Sequence, residues 1–391
     1  MKKKVLAVLV NSSVAELDWL MPVISYYSKD YYIFTYFKNK KTYETLKKNK
    51  ALHDIWCKIN DSYFIERFYN LFFYKLLRKA FNYLKIKHLS KDYFSKKIHS
   101  LDRLKKLIKS QNIKKNFSLD FILSEFGRDT GWIHIISKYS IKRPVIIHYP
   151  HSPSAYKKKK NINPRYKLYG DLLLVGREDD KMFFSALINK QKIFACGIPR
   201  YAKSWNEKIL NNSFLDFNYN KIKNFNIITL AYSSRFDTFK KQKHVLENQL
   251  NEVMKIITDL KNTILIIKTH PRKNSDKFLA IVKKYDNKKW ILSATHLSKL
   301  ASISNCVICQ PNSAAGLDAV TQNIPAIQLS PIKYVENQND ISEELGFVKR
   351  ANNFKSLKKL VNISIEQPND KIWKAQRRNF RKHYPNNNIS L

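Results

Sequence analysis

Short apolar runs recur along the chain, and longer segments with helical spacing separate most of them. The runs consist mainly of Val, Ile and Leu with little polar alternation, which is typical of parallel strands covered on both faces. Two such series follow one another, so the pattern predicts an α/β protein with two doubly wound, Rossmann-like domains facing a cleft. The predicted strands are Val5–Val10, Tyr32–Tyr36, Phe121–Ser124, Val145–His148, Leu172–Val175, Lys192–Cys196, Phe225–Ala231, Thr263–Lys268, Trp290–Leu292, Cys306–Cys309 and Ala326–Leu329.

The boundary between the two domains is predicted in the Asn-rich stretch 205–224, which shows neither a helical nor a strand period. We therefore predict an N-terminal domain over residues 1–215 and a C-terminal domain over residues 216–370. Residues 371–391 form a polar and aromatic tail, for which one interpretation is a helix that packs across the domain interface.

The N-terminus, Met1 followed by three lysines and an apolar run, resembles a signal peptide. The run is shorter than the usual ~7–15 apolar residues and leads at once into a polar turn. A first strand of an α/β domain is the favoured interpretation, and a cytoplasmic location is the corresponding expectation.

Composition narrows the class of protein. The chain has 391 residues, of which 44% are hydrophobic, and this excludes a disordered chain. No uninterrupted apolar stretch reaches the ~18 residues that span a bilayer. The net charge of +41 favours polyanionic partners such as nucleic acid, an anionic membrane surface or phosphate-bearing substrates. AT-rich coding, which enriches Lys and Asn, is an alternative source of this excess.

The segment Tyr63–Lys115 is dense in aromatic and basic residues. It is interpreted as helices, either lying in a membrane interface or packing on the core with solvated basic faces. The four cysteines include one C-x-x-C, Cys306 to Cys309, which lacks the second ligand pair of a structural zinc site. Buried thiols are the expectation, with no metal and no bound cofactor.

Three polar loops follow predicted strands of the C-terminal domain. In open α/β sheets, ligands bind beyond the carboxyl ends of the strands, and donor or basic side chains there can hold phosphate. The alternatives are ordinary polar turns and a capped helix with no ligand, in which Ser313 is the N-cap. The candidate donor-binding residues are Ser233, Ser234, Arg235, Lys268, His270, Arg272, Asn312, Ser313, Ala314 and Asp318, the last as an acceptor for ribose hydroxyls.

These loops together predict a nucleotide mono- or diphosphate site. The chain has neither a Walker G-x-x-x-x-G-K-[ST] nor a G-x-G-x-x-G motif, which argues against a P-loop NTPase and a dinucleotide dehydrogenase. In the N-terminal domain, Glu125, Asp129 and His151 follow strands and could take a proton from an acceptor hydroxyl, with His148 as a further candidate. Helix capping or a salt bridge is the alternative role for each carboxylate.

On the His270–Pro271 pair, the Ser313 loop with its G-L-D-A-V continuation and the strand order, the chain resembles GT-B glycosyltransferases. More narrowly it is similar to the bacterial surface-polysaccharide group of capsule Kdo transferases, polysialyltransferases and CDP-glycerol glycerophosphotransferases. The resemblance implies that His270 and Ser313 hold the nucleotide phosphates. It also implies an acidic base in an E-x-G motif, which is matched here by Glu125 and Gly127, and catalysis without a bound metal.

The leading hypothesis is thus a cytoplasmic glycosyltransferase, of the class EC 2.4, with attachment to the inner membrane left open. It would move a sugar from a CMP-, CDP- or UDP-linked donor to a surface-glycan acceptor in capsule or lipopolysaccharide synthesis. A UDP-GlcNAc 2-epimerase-like enzyme and a non-enzymatic polyanion-binding protein are the alternatives. No specific nucleic-acid-binding motif supports the last.

Overall fold

The computed structural model describes residues 4–10, 14–37, 40–59, 62–66, 119–126, 133, 140, 142–149, 170–185, 192–232, 243–268, 276–311, 313–329 and 341–384. The chain divides into two compact units. All strands of a first sheet lie in the unit whose last segment ends at Ala195, and residues from Cys196 onward belong to the other unit.

The first sheet has seven parallel strands in the order β3-β2-β1-β4-β5-β6-β7. Its strands are β1 (Lys4–Val10), β2 (Tyr31–Phe37), β3 (Ser62–Glu66), β4 (Phe121–Glu125), β5 (Val145–Tyr149), β6 (Leu172–Val175) and β7 (Ile193–Ala195). The helices in this part of the chain are α1 (Val14–Tyr27), α2 (Lys40–Lys48), α3 (Lys50–Cys57) and α4 (Glu178–Ser185).

The first sheet is built from strands that consist mainly of apolar residues. Leu6, Val8 and Val10 of β1 are all buried, as are Leu17 and Leu20 of α1. Because β1 pairs with β2 on one side and with β4 on the other, it runs through the interior of the sheet. The N-terminal apolar run is therefore a sheet strand, as the sequence predicts.

The second sheet has six parallel strands in the order β10-β9-β8-β11-β12-β13. Its strands are β8 (Asn226–Ala231), β9 (Thr263–Lys268), β10 (Trp290–Ser293), β11 (Cys306–Cys309), β12 (Ala326–Leu329) and β13 (Lys349–Ala351). The helices are α5 (Lys203–Asn212), α6 (Lys243–Thr258), α7 (Asp276–Val282), α8 (Leu297–Ser302), α9 (Ala315–Thr321), α10 (Ile341–Glu344), α11 (Phe354–Glu366) and α12 (Lys371–His383).

The core of the second unit joins strands β8, β9, β11 and β12 to helices α6, α7, α11 and α12. Trp373 of α12 belongs to this core. Gln376, one helical turn later, hydrogen-bonds both backbone polar groups of Ala326 in β12. Its Oε1 accepts from the Ala326 N–H at 3.2 Å, and its Nε2 donates to the Ala326 carbonyl at 2.8 Å. The part of the C-terminal tail that the structure describes is therefore a helix, Lys371–His383, fixed to the second sheet.

All eleven predicted strands are confirmed, with ends shifted by one residue or less. Two strands were not predicted. Residues 62–66, which the sequence assigned to a helix, form β3 because Tyr63, Phe64 and Ile65 favour extended backbone and pair with β2. Strand β13 carries Lys349 and Arg350 at the sheet edge and has no apolar pattern. The remaining part of the predicted aromatic-basic helices lies outside the described residues.

The predicted inter-domain stretch is also more ordered than its sequence suggested. It contains most of helix α5, whose Trp205 and Ile209 are buried, and the C-terminal segment of the second unit begins before it, at Cys196. No helix within the described ranges has both the length and the apolar character needed to cross a bilayer.

Candidate functional site

Three neighbouring strands of the second sheet end side by side. Residue Ala231 at the end of β8 pairs with Lys268 at the end of β9 and with Cys309 at the end of β11. Strands β9 and β10 follow β8 on one side of it in the sheet, whereas β11, β12 and β13 lie on its other side. The strand order therefore reverses at β8. Such a switch point opens a crevice beyond the carboxyl ends of the strands, where open α/β sheets bind ligands.

The three predicted phosphate loops leave the sheet at this switch point. After β8, Tyr232 is buried, and its hydroxyl donates to the Leu246 carbonyl at 2.9 Å, which ties the start of the loop to α6. The loop residues Ser233, Ser234 and Arg235, together with His270, Arg272 and Asn312 of the other two loops, lie outside the described residues.

At the end of β9, Lys268 is tied to the neighbouring strand end. Its Nζ donates to the Ala294 carbonyl at 2.8 Å, just beyond β10. The N–H of the same residue, Ala294, donates to Asp216 Oδ2 at 2.6 Å. The other carboxylate oxygen of Asp216 accepts from the Ser293 hydroxyl at 2.5 Å and the Thr295 hydroxyl at 2.7 Å. Two groups of opposite charge, the ammonium of Lys268 and the carboxylate of Asp216, thus hold residues 293–295.

The electrostatics of Asp216 follow from these contacts. Partial burial alone would raise its pKa, but the hydrogen bonds from Ser293, Ala294 and Thr295 together outweigh that effect and hold the pKa below its ordinary value. Asp216 is therefore a carboxylate at neutral pH. The sequence offered no signal for it, because its partners lie almost eighty positions further along the chain.

The loop after β11 leads into helix α9. The Ser313 hydroxyl accepts from the Ala315 N–H at 3.3 Å, and the Ala314 carbonyl accepts the first helical bonds from Leu317 and Asp318. Gly316 is required for packing: a Cβ there would collide with a methyl group of Val348 and lie 3.4 Å from Cys309 Sγ. The small residues therefore allow the helix to sit close to its neighbours.

Asp318 is buried, with 1% of its surface exposed, and forms a bidentate ion pair. Arg200 Nε donates to its Oδ1 at 3.0 Å, and the second guanidinium nitrogen donates to Oδ2 at 2.6 Å. This ion pair is a structural contact of Asp318, and the contact of Asp318 with a ribose stays a prediction. Arg200 lies in a short 3₁₀ turn, Pro199–Tyr201, so the pair fixes this turn to α9.

In the first sheet, Glu125 and His148 lie at the carboxyl ends of β4 and β5. Glu125 is 3% exposed, and His148 pairs in register with Ser124. His148 Nδ1 lies 3.3 Å from the Ser124 carbonyl oxygen; since a carbonyl only accepts, Nδ1 carries the proton. Burial lowers the pKa of His148, so the ring is neutral, and its Nε2 has no hydrogen-bond partner among the described residues.

The ring of His148 fits because Gly170 leaves room for it. A Cβ on Gly170 would lie 2.7 Å from His148 Cδ2 and from the Ile146 carbonyl oxygen. The other two predicted bases, Asp129 and His151, lie outside the described residues. Within the part of the chain that the structure describes, no group of three or more His, Cys, Asp or Glu side chains is arranged to hold a metal ion.

Both cysteines of the C-x-x-C pair are buried, as the sequence predicts. Cys306 and Cys309 are buried thiols of β11 that form no disulfide, and burial raises the pKa of Cys306 to about 12. A thiol of such high pKa is a poor nucleophile and a poor metal ligand at neutral pH.

No protein-family model and no curated protein matches the chain. Solved structures do. A glycosyltransferase from Rickettsia africae matches with a TM-score of 0.55 at 12% identity, covering 99% of this chain and 94% of that chain. The calicheamicin glycosyltransferase CalG4 matches with a TM-score of 0.55 at 7% identity, covering 99% and 96%. The chain has the GT-B fold.

The same fold occurs in an epimerase. UDP-GlcNAc 2-epimerase from Methanocaldococcus jannaschii, solved in complex with UDP-GlcNAc and UDP, matches with a TM-score of 0.55 at 16% identity. The match covers 97% of this chain and 99% of that chain. At these identities the likeness is one of fold.

Proposed function

We propose that the chain is a glycosyltransferase that moves a sugar from a nucleotide-activated donor to a surface-glycan acceptor. The observation that carries the proposal is the alignment of the ends of β8, β9 and β11 at the switch point, where all three predicted phosphate loops begin. The GT-B fold supports it, because two solved glycosyltransferases share that fold.

In this proposal the nucleotide phosphates bind beyond these three strands. His270 and Arg272, two and four residues after Lys268, would donate to phosphate oxygens and stabilise the charge that develops on the leaving group. Lys268 would act mainly by holding the loop at residues 293–295, since its ammonium donates to the Ala294 carbonyl. Ser313, Asn312, Ala314 and the loop Ser233–Arg235 would complete the phosphate contacts.

The reaction needs a base for the acceptor hydroxyl. The hydroxyl oxygen attacks the anomeric carbon, the bond from that carbon to the phosphate oxygen breaks, and the base takes the hydroxyl proton. Glu125 is our first candidate because it is the last residue of β4 and directly follows Ser124, which pairs with His148 on the neighbouring strand. Asp129 and His151 are the other candidates.

The donor class follows from the resemblance to the surface-polysaccharide group. That group implies a CMP-, CDP- or UDP-linked donor and an acceptor in capsule or lipopolysaccharide synthesis. The solved epimerase is in complex with UDP-GlcNAc and UDP, which is a further reason to test uridine nucleotides.

A thermal-shift screen with CMP, CDP, UDP and GDP tests the donor site. Ligand binding stabilises the folded state by about 2.7 kcal/mol at a hundredfold excess over Kd. We expect a shift with one nucleotide that disappears in His270→Ala and Arg272→Gln. Lys288→Gln, which removes one positive charge at an exposed position, should keep the shift. The absence of any shift in folded wild type would contradict the proposal.

A UDP-GlcNAc 2-epimerase is the second candidate, and the solved epimerase of the same fold is what favours it. The two activities differ in their products. An epimerase converts UDP-GlcNAc to its 2-epimer without an acceptor, whereas a transferase releases nucleotide in step with a lengthened acceptor. Analysis of nucleotide and sugar products with and without acceptor therefore separates them, and Glu125→Gln should abolish release of nucleotide if Glu125 is the base.

A further inference from the structure

Helix α12 has an outer face made only of positive charge. Five of its side chains are exposed, all five are Lys or Arg, and the helix contains no Asp or Glu. At about 100° per residue these five positions fall within about 100° of the helix circumference, and they extend over about 16 Å of its length. This basic stripe consists of Lys371, Lys374, Arg378, Arg381 and Lys382.

The opposite face of α12 is committed to the protein core. Trp373, Gln376 and Phe380 are buried, and the Phe380 ring packs on the rings of Tyr201, Phe347 and Tyr384 at 5.1 to 6.0 Å between centroids. The helix therefore cannot insert apolar side chains into another surface. The exposed face of α12 therefore offers a partner only positive charge, on a helix that is fixed to the core.

Helix stability explains only part of the stripe, namely Arg381 and Lys382 in the last turn, where the helix dipole favours cations. Lys371 and Lys374 occupy the first turn, where the helix dipole disfavours cations. Lys374 and Arg378, four residues apart, repel each other on the same face. By contrast α5, in the same unit, exposes Lys203, Glu207 and Lys208 and thus carries mixed charge, with Lys203 4.0 Å from Glu207.

We propose that the basic stripe of α12 docks the protein on an anionic lipid bilayer. Clusters of four to eight Lys and Arg residues on an amphipathic helix bind anionic headgroups through charge. A flat bilayer matches a straight stripe on a helix whose apolar face is already used. The stripe bears no aromatic side chain on which single-stranded nucleic acid could stack. This inference concerns a surface of the second unit and does not depend on the donor or the reaction.

Sedimentation with vesicles of phosphatidylcholine, alone or with about 30% phosphatidylglycerol, tests the proposal in low salt and at about 0.5 M NaCl. We expect the full chain to bind only the anionic vesicles and to be released by salt. The variant Lys371→Gln/Lys374→Gln/Arg378→Gln should bind roughly a hundredfold more weakly, because each basic residue near the surface contributes about a fivefold factor. Its unfolding temperature should be equal to that of wild type or higher, since Gln is as good a helix former as Lys.

The matched control is Lys283→Gln/Lys284→Gln/Lys288→Gln, which also lowers the net charge from +41 to +38 at exposed positions (41 − 3 = 38). It should weaken vesicle binding by less than about fivefold. Equal loss in both variants would overturn the proposal, as would failure of wild type to bind anionic vesicles. Binding of a random DNA duplex that the α12 variant weakens, without vesicle binding, would assign the stripe to nucleic acid and also overturn it.

Discussion

At the scale of single residues, Asp216 is the side chain whose contacts most directly predict a measurable effect. It accepts hydrogen bonds from three consecutive residues at the end of β10: Ser293, Ala294 and Thr295. Asp216→Asn removes the negative charge and replaces one of the two acceptor oxygens by an NH₂ donor, so the three charge-assisted bonds cannot all persist. We expect the free energy of unfolding to fall by about 1–3 kcal/mol at neutral pH in urea titrations.

The pH dependence of this effect has a defined sign. The pKa of Asp216 is lowered in the folded state, so its contribution is complete above about pH 4, the ordinary range of an Asp carboxyl, and is lost as pH falls through the lower, folded-state pKa. The difference between wild type and Asp216→Asn should therefore narrow in acid. Asp259→Asn, at an exposed position, is the control and should change little at either pH. A difference that grows in acid would contradict this assignment.

At the scale of elements, the ion pair between Arg200 and Asp318 joins the 3₁₀ turn before α5 to helix α9. Both side chains are less than 10% exposed. Removing one partner leaves a buried charge without its counterion, so Arg200→Met or Asp318→Leu alone should cost about 3–5 kcal/mol. The double variant Arg200→Met/Asp318→Leu should recover most of that loss, because neither charge then remains. Urea unfolding of the four proteins gives the coupling energy.

An exposed pair provides the control for this cycle. Arg350 contacts Glu343 at 3.2 Å, with side chains 40% and 32% exposed. Solvent screens such pairs, so Arg350→Met should cost less than about 1 kcal/mol. Equal costs at Arg200 and Arg350, or a double variant as unstable as the single ones, would show that the buried pair does not fix α9.

At the scale of the whole molecule, the net charge of +41 sets a general expectation. So many like charges repel one another in the compact state, and dissolved salt screens them over about 10 Å at 0.1 M. We expect the unfolding temperature to rise from low salt to about 0.2 M NaCl. Sucrose at equal osmolality is the control for effects other than screening, and a salt response no larger than that of sucrose would contradict the expectation.

Strands such as Val5–Val10 and Thr263–Lys268 were predictable because a strand buried on both faces needs a continuous apolar run. Strands β3 and β13 were not, because both lie at sheet edges, where pairing with one neighbour suffices and the side chains need not be apolar. Helix α5 was not predicted because only two of its apolar residues, Trp205 and Ile209, are buried, which gives no clear helical period.

The two parallel α/β sheets and the polar loops that follow β8, β9 and β11 are predictable from the chain alone, because apolar period and polar strand ends are local properties. That these three strands are neighbours, and that Asp318 faces Arg200, 118 positions away, follows only from the folded structure. The same holds for the uninterrupted basic stripe of α12, since burial of Trp373 and Phe380 selects which side of the helix meets solvent. Partners distant in sequence are brought together by sheet order and packing, which no local pattern encodes.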